Sequence, residues 1–261
     1  MATATAGRQL SNQQLVEVLN LIKGADSVEL KLTIPESDHR ATATALELDP
    51  IDAQIRQVYF FDTPNLTLNK NGLVVRARRV QGKGDDSVIK LRPVVPHEQP
   101  AGLRKSPNFV VEVDAMPGGY VCSGSLKYAL PTPDIRDTLA GNRPIRKLFS
   151  KEQRKFFADK APEGIALDDL AILGPIVVFK LRFAPKGFGR KLVAELWNYP
   201  DNTRILELST KATPSEAMQV AAEARAFLSE RGVSLSGKQQ TKTKTCLEFF
   251  SAQLKAAGNG N

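Results

Sequence analysis

Charged residues two apart recur along this chain. Arg76 and Arg78 form one pair, Lys90 and Arg92 a second, and Lys180 and Arg182 a third. Glu112 and Asp114 form an acidic pair, Glu29 and Lys31 a mixed one, and Glu195 and Glu207 stand singly. In a β-strand, residues at i and i+2 share a face. Arginine grips phosphate oxygens with paired hydrogen bonds and lysine adds a point charge, so cations at this density describe a site for a compact polyanion. The carboxylates imply a second chemistry. With 2 His and 2 Cys in the chain, a metal has to be held by oxygen, which selects a hard ion, Mg²⁺ or Mn²⁺.

The residues between these charges are apolar: Val28, Leu30 and Leu32; Val75 and Ala77; Ile89 and Leu91; Val111 and Val113; Phe179 and Leu181; Leu206 and Leu208. This alternation predicts strands over residues 27–34, 58–61, 73–80, 88–92, 109–116, 176–183, 191–199 and 204–209. Residues 93–107, broken by Pro96, Pro100 and Gly102, read as a long loop, and 117–128 as irregular. Helices are predicted over 11–24 behind a Ser11–Gln14 capping box, over 40–48, 133–139 and 144–158, after the Thr213-Pro-Ser-Glu216 cap, and over 247–257.

A sheet with one wet face usually mixes Thr, Gln, Ser and Lys there, whereas here cation pairs recur. Eight such strands can close into an antiparallel barrel whose apolar side faces outward, covered by the helices, while the lumen collects the charges. The expected fold is therefore α+β: an eight-stranded antiparallel β-barrel, or tunnel. No linker divides the chain, so one domain is expected over 11–256, with loose ends at 1–10 and 257–261.

Composition sets the outer bounds. There are 36 Lys+Arg against 28 Asp+Glu, a net charge of +8, and 42% hydrophobic residues. That excludes a wholly disordered chain. No apolar run approaches the ~18 residues of a membrane-spanning helix, and the N-terminus does not read as an export signal, so a cytoplasmic protein with no membrane partner is expected. The cations alternate with aliphatics and are not interleaved with aromatics, which places nucleic acid last among anionic partners. The expected partner is a triphosphate-containing small molecule or short polyphosphate. Nothing in the sequence sets an oligomeric state.

Taken in order, these segments resemble the CYTH-domain proteins, the triphosphate tunnel metalloenzymes. Ser27-x-Glu29-x-Lys31 is similar to their Glu-x-Glu-x-Lys signature, Tyr59-Phe-Phe-Asp-Thr-Pro64 to their Tyr-Phe-Asp-Thr-Pro segment, and the Gly72 to Arg78 strand to their Gly-x-x-Leu-Arg-x-Arg. Lys90-Leu-Arg92, Glu112-x-Asp114, Lys180-Leu-Arg182 and Leu206-Glu-Leu208 follow in the family's order. The resemblance spans roughly residues 28–250 and implies a tunnel that binds triphosphate through inward Lys and Arg. It also implies a divalent metal on Glu, and hydrolysis of inorganic, thiamine or nucleotide triphosphates or cyclisation of ATP. It further implies a lysine near the last helix that reaches the tunnel, for which Lys242 and Lys244 are candidates, although a Lys-rich run including Lys238 reads first as a solvated segment.

The sequence departs from the family at Ser27, where the signature has Glu, and at Ser209, which leaves Glu207 single. Glu29 and Glu207 are the first-choice metal ligands, with Glu112, Asp114 and Glu195 next. Lys31, Arg76, Arg78, Lys90, Arg92, Lys180 and Arg182 form the phosphate set, and Glu29, Lys31 and Glu207 the expected catalytic group. His39 and His97 are expected to do nothing chemical, Cys122 and Cys246 to be plain thiols, and Trp197 to pack in a strand. The leading reading is a metal-dependent triphosphatase working slowly with a single ion. The alternatives are a class IV-type adenylate cyclase, or a polyphosphate- or nucleotide-binding protein of weakened activity.

Overall fold

The computed structural model describes residues 12–235, 239 and 242–258. The Ser11 end of the predicted capping box, the expected loose N-terminus and Lys238 lie outside the described residues, as do 259–261.

Nine strands form a closed barrel: β1 (Ser27–Ile34), β2 (Gln54–Asp62), β3 (Leu73–Val80), β4 (Asp85–Leu91), β5 (Phe109–Met116), β6 (Gly119–Leu130), β7 (Ala171–Phe183), β8 (Leu192–Asn198) and β9 (Arg204–Ala212). Their order around the barrel is β1-β5-β6-β4-β3-β2-β7-β8-β9. The tunnel expectation holds, and its strand count is corrected from eight to nine. The added strand is β6, over the stretch read as irregular. Its alternation is hidden because the outward positions Cys122 and Gly124 are small and the inward positions include Ser123 and Ser125.

The extra strand also corrects the expectation of a wholly antiparallel barrel. Direction can alternate all the way round a closed ring only if the number of strands is even. With nine, one adjacent pair has to run parallel, and it is β1 with β5, Glu29 opposite Asp114.

Helices pack outside or across the end of this barrel: α1 (Asn12–Gly24), α2 (His39–Ala45), α3 (Thr67–Lys70), α4 (Ala101–Arg104), α5 (Thr132–Leu139), α6 (Lys151–Lys160), α7 (Ala217–Glu230) and α8 (Lys242–Gly258). The single helix predicted over 144–158 is split, because Ser150 caps α6 afresh through a capping box with Gln153. α8 starts five residues earlier than the predicted 247 and ends at Gly258, one residue beyond the predicted 257. No helix among the described residues is long and apolar enough to cross a membrane.

The hydrophobic core lies outside the barrel wall. Outward residues Val75, Ile89, Val111 and Leu126 pack with Ile135 of α5 and Phe156 of α6, and Leu32, Leu181 and Leu208 with Phe227 and Leu228 of α7. A third cluster joins inward-facing Phe60, Val74, Val178 and Trp197 to Leu247 and Phe250 of α8. That helix therefore closes one end of the barrel with apolar contacts and leaves the charged part of the lumen to the rest.

The β5–β6 contact is close. A Cβ placed on Gly124 would lie 2.7 Å from Phe109 Cζ. Gly124→Ala is expected to lower stability by ~1–3 kcal/mol through overpacking, read as the change in the urea unfolding midpoint.

Candidate functional site

All seven predicted phosphate-set cations, Lys31, Arg76, Arg78, Lys90, Arg92, Lys180 and Arg182, line one cavity of about 500 Å³ inside the barrel. The predicted acids Glu29, Glu112, Asp114, Glu195 and Glu207 line it too. Strand register explains the convergence: the inward phase set by Glu29 and Lys31 passes through the ladder to Asp114 on β5 and to Ser209 and Lys211 on β9. Lys242 enters from the first turn of α8. Lys244, the other candidate, does not. It is exposed, 3.8 Å from Glu248 one helical turn on, and is removed from the site.

The acids fall into two groups, each already met by ammonium. At one corner, carboxylate oxygens of Glu29, Glu112 and Asp114 lie within 4.8 Å of one another. Lys31 Nζ is 3.2 Å from Glu29 Oε2 and 2.8 Å from Asp114 Oδ1, Lys90 Nζ is 3.3 Å from Asp114 Oδ2, and Lys211 bonds Glu112. Two hydroxyls complete the corner, Ser27 Oγ donating to Glu112 Oε2 (3.0 Å) and Ser209 Oγ to Glu29 Oε1 (3.1 Å).

In the second group Lys180 Nζ donates to Glu195 at 2.7 Å, and Lys242 Nζ bridges Glu195 (2.6 Å) and Glu207 (2.7 Å). Trp197 Nε1 also donates to Glu195, and Lys242 Nζ sits over the Trp197 ring, 5.0 Å from its centroid. The expected first-choice pair of Glu29 with Glu207 is therefore divided. Along β9, Glu29 pairs with Lys211 and Thr33 with Glu207, four residues or ~13 Å of strand apart. The acid that joins Glu29 comes from the neighbouring strand β5.

These contacts set the protonation states. Burial pushes the Asp114 carboxyl up, but Lys90 and Lys31 outweigh it and hold the group down at about 2. Burial likewise opposes the charge on Lys31, and Asp114, Glu29 and Glu207 reverse this and raise its pKa. Glu195 is held well below the carboxylate range despite burial, by Lys242 and Lys180. Glu29 is also lowered: burial and the neighbouring Asp114 push it up, and Lys31 together with Lys211 outweighs them.

The arginines behave differently. Arg78 makes a two-pronged bond to Asp86, Nε to Oδ1 at 2.8 Å and Nη2 to Oδ2 at 2.7 Å. Among the described residues, none of Arg56, Arg76, Arg92 and Arg182 has a carboxylate within ion-pair distance. Arg76 is the extreme case: its Nε is buried without a hydrogen-bond partner, and burial, aided by Arg78, drives its pKa down to about 10. Burial and Arg78 lower Arg56 as well. The lumen therefore places most of its lysines on its acids and leaves four of its five guanidinium groups without a carboxylate in contact.

The sequence reading missed Arg56, Asp86, Lys211, Lys83 and Lys127, all of which line the cavity. Arg56 and Asp86 share parity with Val58 and Val88 but fall in strand extensions read as loop, and Lys211 falls in the extension of β9 beyond Ser209. Asp62, within the Tyr59–Pro64 motif, serves the fold. Its oxygens accept the Thr63, Leu68 and Asn69 backbone N–H groups and so fix the turn into α3. His39 bonds the Ile34 carbonyl, and Cys122 and Cys246 are free and buried. Trp197 is buried in the β8 wall as expected and also lines the cavity.

A hard cation fits the Glu29–Glu112–Asp114 corner by donor chemistry, all oxygen and all anionic, with Asp114 Oδ1 making no hydrogen bond although Lys31 Nζ lies 2.8 Å away.

No protein-family model matches the sequence, and neither does any curated protein. Solved structures do match. HpAC1 of Hippeastrum, assigned as an adenylyl cyclase and revealing a dominant triphosphatase activity, superimposes with a TM-score of 0.59 at 19% identity, over 81% of this chain and 91% of that one. A protein of Bacillus halodurans assigned as an adenylate cyclase matches with a TM-score of 0.58 at 13% identity, over 84% of this chain and 97% of that one. The likeness shows the fold, the tunnel that the sequence motifs resemble.

The Asp114 environment yields a pH test. Its folded pKa of about 2 lies below the ordinary 3.8, so it contributes stability above pH ~4, on the order of 2 kcal/mol, which is lost as pH falls towards 2. Asp114→Asn should be less stable than wild type at pH 7, with the gap narrowing below pH 3, as measured by urea unfolding across that range.

Proposed function

We propose that the protein binds a triphosphate-bearing anion in its lumen and hydrolyses the terminal phosphoanhydride, with inorganic triphosphate or a nucleoside or organic triphosphate as substrate and Mg²⁺ or Mn²⁺ as the cofactor. The observation that carries this reading is Arg76, a buried guanidinium with an unpartnered Nε, accompanied in the same lumen by Arg56 and Arg182 with no carboxylate of their own. A buried cation without a counter-charge is costly, and a polyanion would relieve several at once.

Phosphoryl transfer needs neutralised oxygens and in-line placement more than covalent help. Arg56, Arg76 and Arg182 would bind the phosphate oxygens in paired contacts, and Lys31, Lys90 and Lys180 would turn part of their charge from their acids to the substrate. The end closed by α8 would limit how far the anion enters and keep the lumen poor in water, where each contact is stronger. Glu29 and Asp114 would hold the metal ion, which when bound draws charge from the phosphoryl group being transferred. Glu29, ionised at neutral pH, can alternatively accept a proton from an attacking water.

The cyclase alternative needs a surface for adenine. Among the described residues the one aromatic side chain lining the cavity is Trp197, whose face is covered by Lys242. That favours a substrate recognised by its phosphates. The buried free thiols suit the reducing cytoplasm.

Heating the protein with tripolyphosphate in EDTA tests the binding step. A ligand at ~100 times its dissociation constant adds about 2.7 kcal/mol, a readily measured rise in melting temperature, and no rise with any polyphosphate would overturn the reading. Phosphate release with Mg²⁺ or Mn²⁺ tests turnover, and binding without release would leave a binding protein.

Arg76→Ala should weaken tripolyphosphate binding by ~1.5–3 kcal/mol, and Arg76→Lys should recover only part, by calorimetry. Glu29→Gln should abolish metal-dependent phosphate release while metal-free tripolyphosphate binding is kept or tightened, since an anion has left a cationic lumen.

A further inference from the structure

Among the described residues, one of the guanidinium groups that lack an acid, Arg56, is nonetheless held by another side chain. Its Nε and Nη2 both donate to Gln54 Oε1, at 3.1 and 2.7 Å, so the side edge of the fork rests on a neutral amide. Arg78 offers the comparison. It presents the same Nε–Nη2 edge to Asp86, a carboxylate, which orients it and neutralises it together. Gln54 gives Arg56 the orientation and leaves the charge. Burial and the neighbouring Arg78 accordingly lower the Arg56 pKa.

The amide is itself fixed. Gln54 Nε2 donates to the Gln81 carbonyl at 3.1 Å. Gln81 in turn is clipped to Ile55: its Oε1 accepts the Ile55 N–H at 3.2 Å, and its own N–H donates to the Ile55 carbonyl at 3.0 Å. Reversing the Gln54 amide would set donor against donor at Arg56 and acceptor against acceptor at Gln81, so the clip admits one orientation. The guanidinium N–H groups are then divided. The Nε–Nη2 edge is on Gln54, and the end edge, Nη1 with the other Nη2 hydrogen, is left for a ligand in the cavity that Arg56 lines. In the ring order β2 lies as far from β1 as nine strands allow. Arg56 therefore lines the cavity on the wall across from Glu29, and an anion between them would have a guanidinium on one side and the oxygen donors for a hard cation on the other.

We propose that Gln54 is a positioning residue: it orients Arg56 without neutralising it, so that the end edge of the guanidinium is held ready for two oxygens of a polyanionic phosphate. The ligand rests on the triphosphate reading above, and the orientation of Arg56 does not. A carboxylate at position 54 would orient the fork and cancel its charge, whereas a thioether chain would keep the charge and lose the orientation.

Calorimetry with tripolyphosphate in EDTA, on the full chain, is the first arm. Arg56→Ala should weaken binding by about tenfold or more. Gln54→Met should weaken it about threefold in the wild-type background and by less than about 1.5-fold in Arg56→Ala, because its effect passes through Arg56. Gln54→Glu, which keeps the shape, should weaken it about tenfold. Equal losses from Gln54→Met in the two backgrounds overturn the proposal, as does Gln54→Glu binding within about twofold of wild type.

Melting without ligand is the second arm. Gln54→Glu also gives up the bond to Gln81, so its effect is read as a difference between backgrounds. The change in Tm it causes should be more favourable with Arg56 present than in Arg56→Ala, by about 2 °C or more. A merely structural Gln54 would lose affinity and stability together, whereas here Gln54→Glu loses affinity while gaining stability that depends on Arg56. Equal Tm changes in the two backgrounds overturn the proposal. No tripolyphosphate binding by wild type overturns the triphosphate reading alone, and the melting comparison then decides whether Gln54 orients an uncompensated Arg56.

Discussion

Like charges confined inside a narrow barrel repel, and the rest of this structure follows from how that repulsion is handled. Inward positions on seven of the nine strands carry Lys or Arg, several of them largely removed from water. Left alone, such a set would push its own pKa values down or open the barrel. The chain offsets part of the charge with acids from β1, β5, β8 and β9, and leaves part uncompensated. Lysine, a compact charge on a flexible stem, is used where an internal acid is available. Arginine, whose planar fork suits a phosphate edge, is left without an acid at Arg56, Arg76, Arg92 and Arg182.

A charged lumen dictates where the core can be. The usual small barrel fills its interior with aliphatic side chains, and here those side chains face outward and need cover. α5, α6 and α7 provide it, burying Ile135, Phe156, Phe227 and Leu228 against the outer faces of the strands. α8 performs a separate task. Leu247 and Phe250 close one end with apolar contacts, and Lys242 at its start reaches back to bridge Glu195 and Glu207. The helix that seals the barrel thus also completes its charge network, so packing of the end and electrostatics of the lumen are coupled.

The two serines make sense within this arrangement. Ser27 and Ser209 stand on inward positions and donate to Glu112 and Glu29 respectively, so each carboxylate is oriented by a neutral neighbour. Had carboxylates stood in their places, the corner would hold five acids against three lysines and would need metal to remain charged. With serines it is balanced by the chain's own lysines. The substitution therefore changes what the corner requires, more than whether it can bind an anion.

Much of this was legible in the residues. The i, i+2 pairs of charged residues with aliphatics between them determine inward phase on β1, β3, β4, β5 and β7, because a strand's side chains alternate strictly and one face must leave water. The charge of the lumen, the outward core and the helical cover follow from that phase. β6 was hidden because Gly124 and Cys122 are small, and their fitness for a strand comes from the Phe109 ring packed over Gly124, a contact with a residue fifteen positions away. The parallel β1–β5 pair follows from closing a ring of nine, which no local pattern encodes. Pairing was likewise beyond the sequence: Glu29 and Glu207 have the same residue type and phase, and only the register across β9 and β5 decides that Glu29 joins Asp114 and Glu112 while Glu207 takes Lys242. Alternation within each strand is local, so the residues alone settle which side chains face the lumen. Which of them meet depends on distances between strands far apart in the chain, and only the folded barrel sets those.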